Sequence, residues 1–399
     1  MSGRPARESV RDAVMLAVLA LLLVTLAWMA GLVTALRTVG PSPPVPESVQ
    51  PPPNWRLFGE AWGHVDREFY GPVPRGADVT YAAIEGLLAT LDDPYAAFVP
   101  AAAAMDGDAG TVLPRLVTGV GAWVEPVVTG ALVLATLPDS PARSAGLAPG
   151  DVLLAAGQSP LAHLTNSEML DALDGRPGTK AVLVVRGVDG RARSVELARA
   201  RPDVPEVELT RPQPGTAYLR LPHMMPEVIQ AFEAALVGLG DPPSDVLVLD
   251  LRDNPGGDVP SLARLAGRLV AGPLWIAVAR DGTETVVDSD PNVRPLAAAP
   301  DRLVVLVNEG TAGTAEMLAS ALRDRAGAEL IGETTLGRRT LQAAERLADG
   351  SHLRLTVARW RAVGEADTVR DGLVPDRVVT GAAAQWRAAL AAASRRAGG

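Results

Sequence analysis

Two threonines, Thr311 and Thr314, stand on either side of Gly313, just before a predicted helix that begins near Ala315. A hydroxyl at such a place either caps the helix by accepting a backbone N–H or attacks a substrate as a nucleophile. Nucleophilic attack also needs a base, for which we considered Glu316 and His352. The sequence places neither base beside a threonine, so the pattern favours the capping interpretation.

A second chemical motif overlaps the end of the apolar run 246–251. It reads Asp-Leu-Arg-Asp-Asn-Pro-Gly-Gly and extends from Asp250 to Gly257. Glycine lets the backbone adopt positive φ angles and approach a ligand closely. The glycine pair therefore suits either a tight strand-to-helix turn or a backbone donor that faces a substrate oxygen.

Other reactive residue types are few. The chain has no cysteine, which excludes disulfides and thiolate metal sites, and Lys180 is its single lysine. The histidines lack a metal-ligand spacing such as HExxH, so we predict no metal and no cofactor. They are His64, His163, His223 and His352. The net charge of −9 at pH 7 argues against a nucleic-acid partner, which usually requires a basic face.

The N-terminal region predicts a membrane anchor. Residues 13–36 carry no charge and are long enough to cross about 30 Å of hydrocarbon as a helix. Arginines before this run favour a cytoplasmic tail at residues 1–12, with the rest of the chain exported. A cleaved signal peptide is the alternative, although its apolar region is usually shorter. The proline-rich residues 37–53 predict an extended linker.

Hydrophobic periodicity divides the remaining chain into three regions. Residues 54–110 contain two amphipathic helices, at 55–69 and 81–91. Residues 111–201 combine short strands and turn glycines with an amphipathic helix at 165–173. Residues 202–399 alternate strands and helices, which predicts an α/β layer with crossover helices. Its predicted strands are 217–221, 246–251, 303–307 and 330–331, and its predicted helices are 226–239, 261–270 and 315–325.

The region 111–201 resembles a PDZ domain of the permuted bacterial kind. The segment 140–154, SPARSAGLAPGDVLL, carries this resemblance together with a glycine-containing loop. In a PDZ-like domain, the backbone N–H groups of that loop form a nest for a terminal carboxylate, and the peptide adds as a strand beside the helix. The alternative is that the glycines only make a tight turn. The predicted peptide-binding residues are Gly119, Val120, Gly121 and Ala122.

Three segments of the region 202–399 resemble the C-terminal processing (tail-specific) serine peptidase family. They are the Asp250–Gly257 motif, residues 304–316 and residues 331–342. With the matching stretches 349–357 and 372–376, the resemblance spans nearly all of residues 55–380. It implies an α/β (α+β multidomain) fold, in which a PDZ-like β-sandwich or barrel domain is inserted into a peptidase core of ClpP/crotonase-like character.

The resemblance also implies where a catalytic dyad would lie. The family's nucleophilic serine precedes a glutamate by three residues, and counting back from Glu316 gives Gly313. Asp324, eleven residues further on, matches a usual aspartate and supports this register. The family's general-base lysine falls on Arg338, and its following glutamine falls on Gln342. The expected oxyanion-hole residues are Gly256, Gly257 and Thr314.

Neither dyad position holds the residue that the chemistry needs. Gly313 has no hydroxyl, and the guanidinium of Arg338 stays protonated in proteins and cannot accept a proton. We therefore predict a degenerate peptidase of the bacterial inner membrane that binds polypeptide C-termini, unfolded exported proteins or a partner protease. Arg338 and Arg339 are also predicted to hold a carboxylate, either that of Asp324 or that of a substrate terminus.

Two other functions remain as alternatives. One is an active serine/threonine-type endopeptidase of the same family, which would use Thr314 as its nucleophile on exported proteins. The other is a non-catalytic carrier of small hydrophobic ligands, in which an apolar pocket would replace the dyad cleft.

Overall fold

The structure is a computed structural model that describes residues 54–91, 93–101, 114–162, 164, 166–240, 244–296, 299–363 and 372–395. Within these residues no helix is both long enough and apolar enough to cross a membrane. The predicted anchor at 13–36, the preceding tail and the linker at 37–53 lie outside the described residues.

The chain divides into two compact units, the first ending at Pro74 and the second beginning at Arg75. The first contains helix α1 (Trp55–Glu68), in which the rings of Trp55 and Phe58 stack with their centroids 5.6 Å apart. The helices of the second unit are α2 (Ala77–Leu88), α3 (Pro141–Ser144), α4 (Asn166–Leu173), α5 (Pro226–Val237), α6 (Val259–Leu269), α7 (Thr314–Ala326) and α8 (Ala382–Ala393).

A six-stranded, mostly parallel sheet forms the centre of the second unit. Its neighbouring strands are β18 (Arg377–Val378), β15 (Glu329–Gly332), β14 (Arg302–Val307), β11 (Val246–Asp250), β10 (Thr216–Arg220) and β9 (Glu208–Gln213). Only β9 runs antiparallel to its neighbour. Parallel strands need crossover connections, and the helices that alternate with these strands in the sequence supply them.

Both faces of this sheet are covered, which explains the continuous apolar runs of its strands. Successive side chains of a strand point to opposite faces. Leu247 and Leu249 of β11 therefore pack with α5, α6 and α7, whereas Val246 and Val248 pack with α8. We call this sheet with its helices the core.

A five-stranded antiparallel sheet lies against the core. Its strands are β1 (Ala97–Val99), β17 (His352–Ala362), β12 (Pro273–Ala279), β13 (Glu284–Asp288) and β16 (Thr340–Arg346), the last paired with β17. Trp275 of β12 and Trp360 of β17 are buried in the same apolar cluster as α6 and α7. The sheet therefore shares one hydrophobic core with the parallel layer.

A seven-stranded antiparallel sheet with α3 and α4 forms a second hydrophobic core, which we call the small β domain. Val124, Leu153, Met169 and Leu183 are among its buried side chains. Its strands are β2 (Arg115–Val117), β3 (Ala122–Val127), β4 (Gly130–Thr136), β5 (Val152–Ala156), β6 (Ser159–Pro160), β7 (Lys180–Arg186) and β8 (Ala192–Ala198).

The small β domain is joined to the core through an apolar contact, the domain interface. Trp123 and Leu134 of the small β domain cluster there with Met225 of the core. The Trp123 ring also lies 5.0 Å, centroid to centroid, from the ring of buried His223. Large hydrophobic contacts of this kind hold domains in one arrangement.

His223 makes the stability of the protein dependent on pH. Burial lowers the pKa of His223 below its ordinary value of 6.5, because loss of hydration disfavours the charged imidazolium, and the negative charge of Glu227 opposes this shift. Its Nδ1 has no hydrogen-bond partner among the described residues. His223 therefore binds a proton more tightly in the unfolded chain than in the folded one. The stability that the neutral, buried imidazole contributes is present above pH 6.5 and is lost as the pH falls below it. We expect denaturant midpoints to drop between pH 7.5 and about pH 5.5, and to drop less in His223→Gln. Equal slopes in the two proteins would contradict this assignment.

Candidate active site

The predicted chemical motifs meet at one edge of the parallel sheet. The turn after β11, the loop after β14 and the loop after β15 all leave carboxyl ends of adjacent strands, where ligand sites of open α/β sheets form. They border a cleft of about 210 Å³. The structure thus brings together five of the residues predicted for the site, which are Gly257, Gly313, Thr314, Arg338 and Gln342.

Gly313 precedes α7 in an unusual backbone conformation. Its φ is 54° and its ψ is −117°, and its N–H donates to the Glu316 carboxylate at 2.9 Å. A Cβ built at this position would meet only the Arg338 side chain, at 3.7 Å. Space for a side chain therefore exists, but an L-residue would be strained there.

We expect Gly313→Ala to lower the free energy of unfolding by about 1–3 kcal/mol, because alanine disfavours this φ. Gly86 in α2 is a matched control, since a Cβ there meets no atom within 4 Å and its φ is that of a helix. Gly86→Ala is expected to stabilise by up to about 1 kcal/mol. Denaturant unfolding of both variants measures the difference, and a shift in the same direction would refute the role of backbone strain.

The capping predicted for the threonines is wrong. The N-cap of α7 is Gly313, and no side-chain hydroxyl caps this helix. Thr311 instead braces the loop, since its Oγ1 accepts the Asn308 N–H at 3.0 Å and donates to the Leu251 carbonyl at 2.9 Å. Thr314 is the first helical residue, and its buried Oγ1 has no partner among the described residues.

Arg338 is held in a buried ion pair. Its Nη2 donates to Glu125 Oε1 at 2.7 Å and to Gln342 Oε1 at 2.9 Å. Its guanidinium lies over the ring of Tyr95, with the central carbon 5.0 Å from the centroid. Burial raises the pKa of Tyr95 to about 12, and the positive charge of Arg338 opposes that rise. Arg338 therefore connects the core with β3 of the small β domain, which carries Glu125.

The predicted pairing of Arg338 with Asp324 is also wrong. Asp324 makes an ion pair with the adjacent Arg323 at 3.3 Å and lies within 3.5 Å of the Ser320 hydroxyl. Arg339 lies over the Trp360 ring, 4.9 Å from its centroid. The carboxylate that Arg338 holds belongs to Glu125, some two hundred positions away in the sequence.

Sequence reasoning missed Glu125 as a residue of this site. The signal was a single acidic residue in the otherwise apolar segment 122–127 of the small β domain. Burying an unpaired carboxylate is very unfavourable, so a charge in a buried strand indicates a partner of opposite sign. The sequence offered no means of choosing that partner among its many arginines.

Glu316 fixes the backbone around the cleft. Its carboxylate accepts hydrogen bonds from Thr335 Oγ1 and from the N–H groups of Gly313, Gly337 and Arg338. Complete burial raises the pKa of Glu316, and the four donors oppose that rise. These donors occupy the lone pairs that a base would need. His352, the other base considered, begins β17 and does not line the cleft.

The two glycines after β11 differ in whether their backbone N–H groups are hydrogen-bonded. The N–H of Gly256 donates within the turn to Asn254 Oδ1 at 2.8 Å. Gly257 and Thr314 line the cleft, and neither of their N–H groups has a hydrogen-bond partner among the described residues. A Cβ at Gly257 would lie 1.9 Å from the Met224 carbonyl oxygen, so only glycine fits there. An oxyanion role for these groups stays a prediction.

The loop from Gly119 to Ala122 is buried in the small β domain. The N–H of Gly119 donates to Asp174 Oδ1 at 2.6 Å, and that of Gly121 donates to the Val117 carbonyl at 2.8 Å. A carboxylate bound by this loop would have to replace these partners. The prediction that Gly119, Val120, Gly121 and Ala122 bind a peptide terminus therefore stays a prediction.

Comparison with known proteins identifies the class to which this fold and cleft belong. A family model described as Peptidase family S41 matches residues 215–379, which include the three segments around the cleft. The chain is 31% identical to a carboxyl-terminal-processing protease of Synechocystis sp. over 347 residues, covering 82% of this chain and 79% of that protein. It is 30% identical to the chloroplastic carboxyl-terminal-processing peptidase 2 of Arabidopsis thaliana, covering 82% of this chain and 70% of the relative.

A solved structure is similar over most of the chain as well. It is the photosystem II D1 C-terminal processing protease, with a TM-score of 0.60 and 29% identity, covering 82% of this chain and 92% of that one. The architecture is thus the mixed α/β, multidomain one of serine-type S41 proteases. The chain belongs to the carboxyl-terminal-processing proteases of peptidase family S41, as its sequence motifs predicted.

Proposed function

We propose that this protein is a proteolytically inactive member of the family, which binds polypeptide C-termini without cutting them. The observation that carries the proposal is the state of the two central positions of the cleft. Gly313 offers no nucleophile, and Arg338 is committed to the buried carboxylate of Glu125.

The chemistry of a serine–lysine dyad explains why these two residues matter. The serine supplies a hydroxyl that attacks the peptide carbonyl, and the lysine takes its proton when burial lowers the pKa of the amine. A guanidinium has a pKa above about 12 and holds its protons throughout the working pH range of a protein. The Arg338 guanidinium also lies 2.7 Å from the carboxylate of Glu125.

The remaining parts of the chain support a binding role in the cell envelope. The apolar residues 13–36 suit an anchor, and the net charge of −9 suits protein rather than nucleic-acid partners. In this proposal the small β domain is a PDZ-like module that contributes to the recognition of unfolded exported chains or of a partner protease. The carrier of hydrophobic ligands is less well supported, because the charged residues Arg338 and Asp258 line the cleft together with its apolar residues.

Proteolysis by the full-length chain in mild detergent tests this proposal. An unfolded protein with an apolar C-terminus serves as substrate, and mass spectrometry detects any new termini. We expect no cleavage above that of a buffer control, together with retained binding of the substrate. Cleavage that persists through repeated purification and is abolished by a mutation in the cleft would refute the proposal.

An active endopeptidase that uses Thr314 is the second candidate. It is favoured by one observation, namely that Thr314 lines the cleft and its buried hydroxyl has no partner among the described residues. It is opposed by the lack of a free base, since Glu316 is saturated with donors. Cleavage that disappears in Thr314→Ala, and persists in Thr311→Ser, would establish this candidate.

A further inference from the structure

Arg338 places one unused donor, its Nη1, beside the space over Gly313. The residue is only 8% exposed, and its ion pair with Glu125 and its bond to Gln342 both use Nη2. Its Nη1 lies 3.7 Å from the position that a Cβ would take at Gly313. Among the described residues neither Nη1 nor the buried Nε has a hydrogen-bond partner. A charged group of this kind is stabilised by an anion placed in the space before it.

Two backbone donors border the same cleft. The N–H of Thr314 opens the 13-residue helix α7, and the N–H of Gly257 follows the glycine turn. The positive end of a helix dipole favours an anion, and free backbone N–H groups give that anion direction. Asp258 also lines the cleft, but its carboxylate is engaged at the start of α6, where it accepts the N–H and hydroxyl of Ser261.

Strand β16 gives an extended ligand a place to pair. Among the described residues it is paired only with β17, and its residues 340–344 line the cleft. A strand with one unpaired edge can add a peptide through main-chain hydrogen bonds. The cleft of about 210 Å³ is smaller than the roughly 300–1,000 Å³ of sites for drug-sized ligands, so it suits a terminal residue or two.

We propose that this cleft binds the free α-carboxylate at the C-terminus of a polypeptide. The inference rests on the proposed function and names the group that the cleft recognises. One carboxylate oxygen faces the N–H groups of Gly257 and Thr314, and the other faces Nη1 of Arg338. An internal peptide carbonyl is neutral and offers one oxygen, so it would leave Nη1 of Arg338 without an acceptor. A serine side chain at Gly313 would fill the space that the second oxygen needs.

The inference assigns the carboxylate to the core instead of the small β domain. The loop predicted to hold it there has its Gly119 and Gly121 N–H groups bonded internally. The donors of the cleft, in contrast, have no partner among the residues that the structure describes. The two locations are distinguishable because different acidic residues border them, Asp258 at the cleft and Asp174 at the loop.

Fluorescence anisotropy with the full-length chain in detergent tests the inference. The probe is a short apolar peptide, labelled at its N-terminus and ending in two alanines, in the free-acid form and as the C-terminal amide. We expect the acid to bind about tenfold more tightly than the amide, as charge-assisted hydrogen bonds require. Equal affinities, or no binding of the acid, would overturn the inference.

A pair of charge variants at Val259 locates the site. Val259 lines the cleft as the first residue of α6 and is 36% exposed, so neither variant opens the core. Val259→Lys is expected to strengthen binding of the acid and Val259→Asp to weaken it, each about threefold or more, with the amide unaffected. The ratio of acid to amide affinity could instead stay the same in both Val259 variants and increase in Asp174→Asn. That result would place the carboxylate in the loop and overturn the inference.

The same samples keep this inference separate from the proposed function. Mass spectrometry of the recovered probe detects any shortening of the peptide. A shortened probe would refute proteolytic inactivity, whatever the affinities are. An intact probe with equal affinities for acid and amide would overturn the carboxylate site alone.

Discussion

Arg338→Leu is expected to lower the free energy of unfolding by about 3–5 kcal/mol, the typical cost of removing one partner of a buried ion pair. Glu125 is fully buried, and the only hydrogen bond to its carboxylate among the described residues comes from Arg338. Its Oε2 already has no partner there. The variant would therefore leave a carboxylate in the domain interface without any donor. Arg354, the other nearby cation, uses its guanidinium on the carbonyls of Tyr95 and Pro126.

A double variant distinguishes the loss of the charge pair from the loss of packing. Replacement of both partners, Arg338→Leu with Glu125→Leu, is expected to recover most of the stability, because apolar pairs often replace buried ion pairs at little cost. Lys180→Ala is the surface control, since the Lys180–Glu196 pair at 2.5 Å is solvent-exposed on both sides and is expected to contribute little. Equilibrium unfolding in urea provides the comparison. Single and double variants of equal stability would show that the ion pair is not what stabilises this contact.

Trp123→Ala is expected to cost a similar amount, about 3–5 kcal/mol, by leaving a cavity in the domain interface. Trp123 is buried between the small β domain and the core, against the His223 ring and the cluster that contains Met225. The parent chain should unfold its second unit in one transition, because this apolar contact couples the two parts. In the variant, the small β domain and the core should unfold in separate steps.

Tryptophan fluorescence and far-ultraviolet circular dichroism, followed in the same urea series, report the two steps. Val188→Ala is the control, since Val188 is 81% exposed on a turn of the small β domain and should change stability by less than about 0.5 kcal/mol. Coincident transitions with an unchanged midpoint in Trp123→Ala would contradict the coupling that we assign to this interface.

The elements around the cleft were predictable because their sequences are strongly patterned. The apolar runs 246–251 and 303–307 correspond to β11 and β14, and the predicted helix 315–325 corresponds to α7. Such runs belong to strands buried on both faces, whose side chains are mostly apolar. The glycine and proline positions then marked the turns that carry the site.

The five-stranded antiparallel sheet that lies against the core was much harder to predict from the sequence. Strand β17 contains Arg354, Arg359 and Arg361 between apolar residues, which is a pattern without a clear buried face. Arg354 is nevertheless buried, and burial lowers the pKa of its guanidinium. Tertiary partners decide such positions, and a single sequence does not name them.

The same limit applies to the candidate site. The resemblance to the peptidase family implied that Gly313, Arg338 and Gln342 belong to one site, and all three line the cleft. Asp324 and a substrate terminus were the two carboxylates predicted opposite Arg338, and the structure instead pairs Arg338 with Glu125. Glu125 belongs to the small β domain, which has its own hydrophobic core. The hydrophobic periodicity of the sequence therefore does not indicate that Glu125 pairs with Arg338.

The pairing of β1 with β17 determines the order in which the chain can fold. Ala97 pairs with Arg354, so the edge of the antiparallel sheet closes only after nearly the whole chain has been synthesised. The small β domain lies between these strands in sequence and has its own hydrophobic core, so it can fold while β1 is still unpaired. An unpaired strand edge is a template for association with other chains. Residues 97–99 therefore remain without their strand partner until β17 has been synthesised.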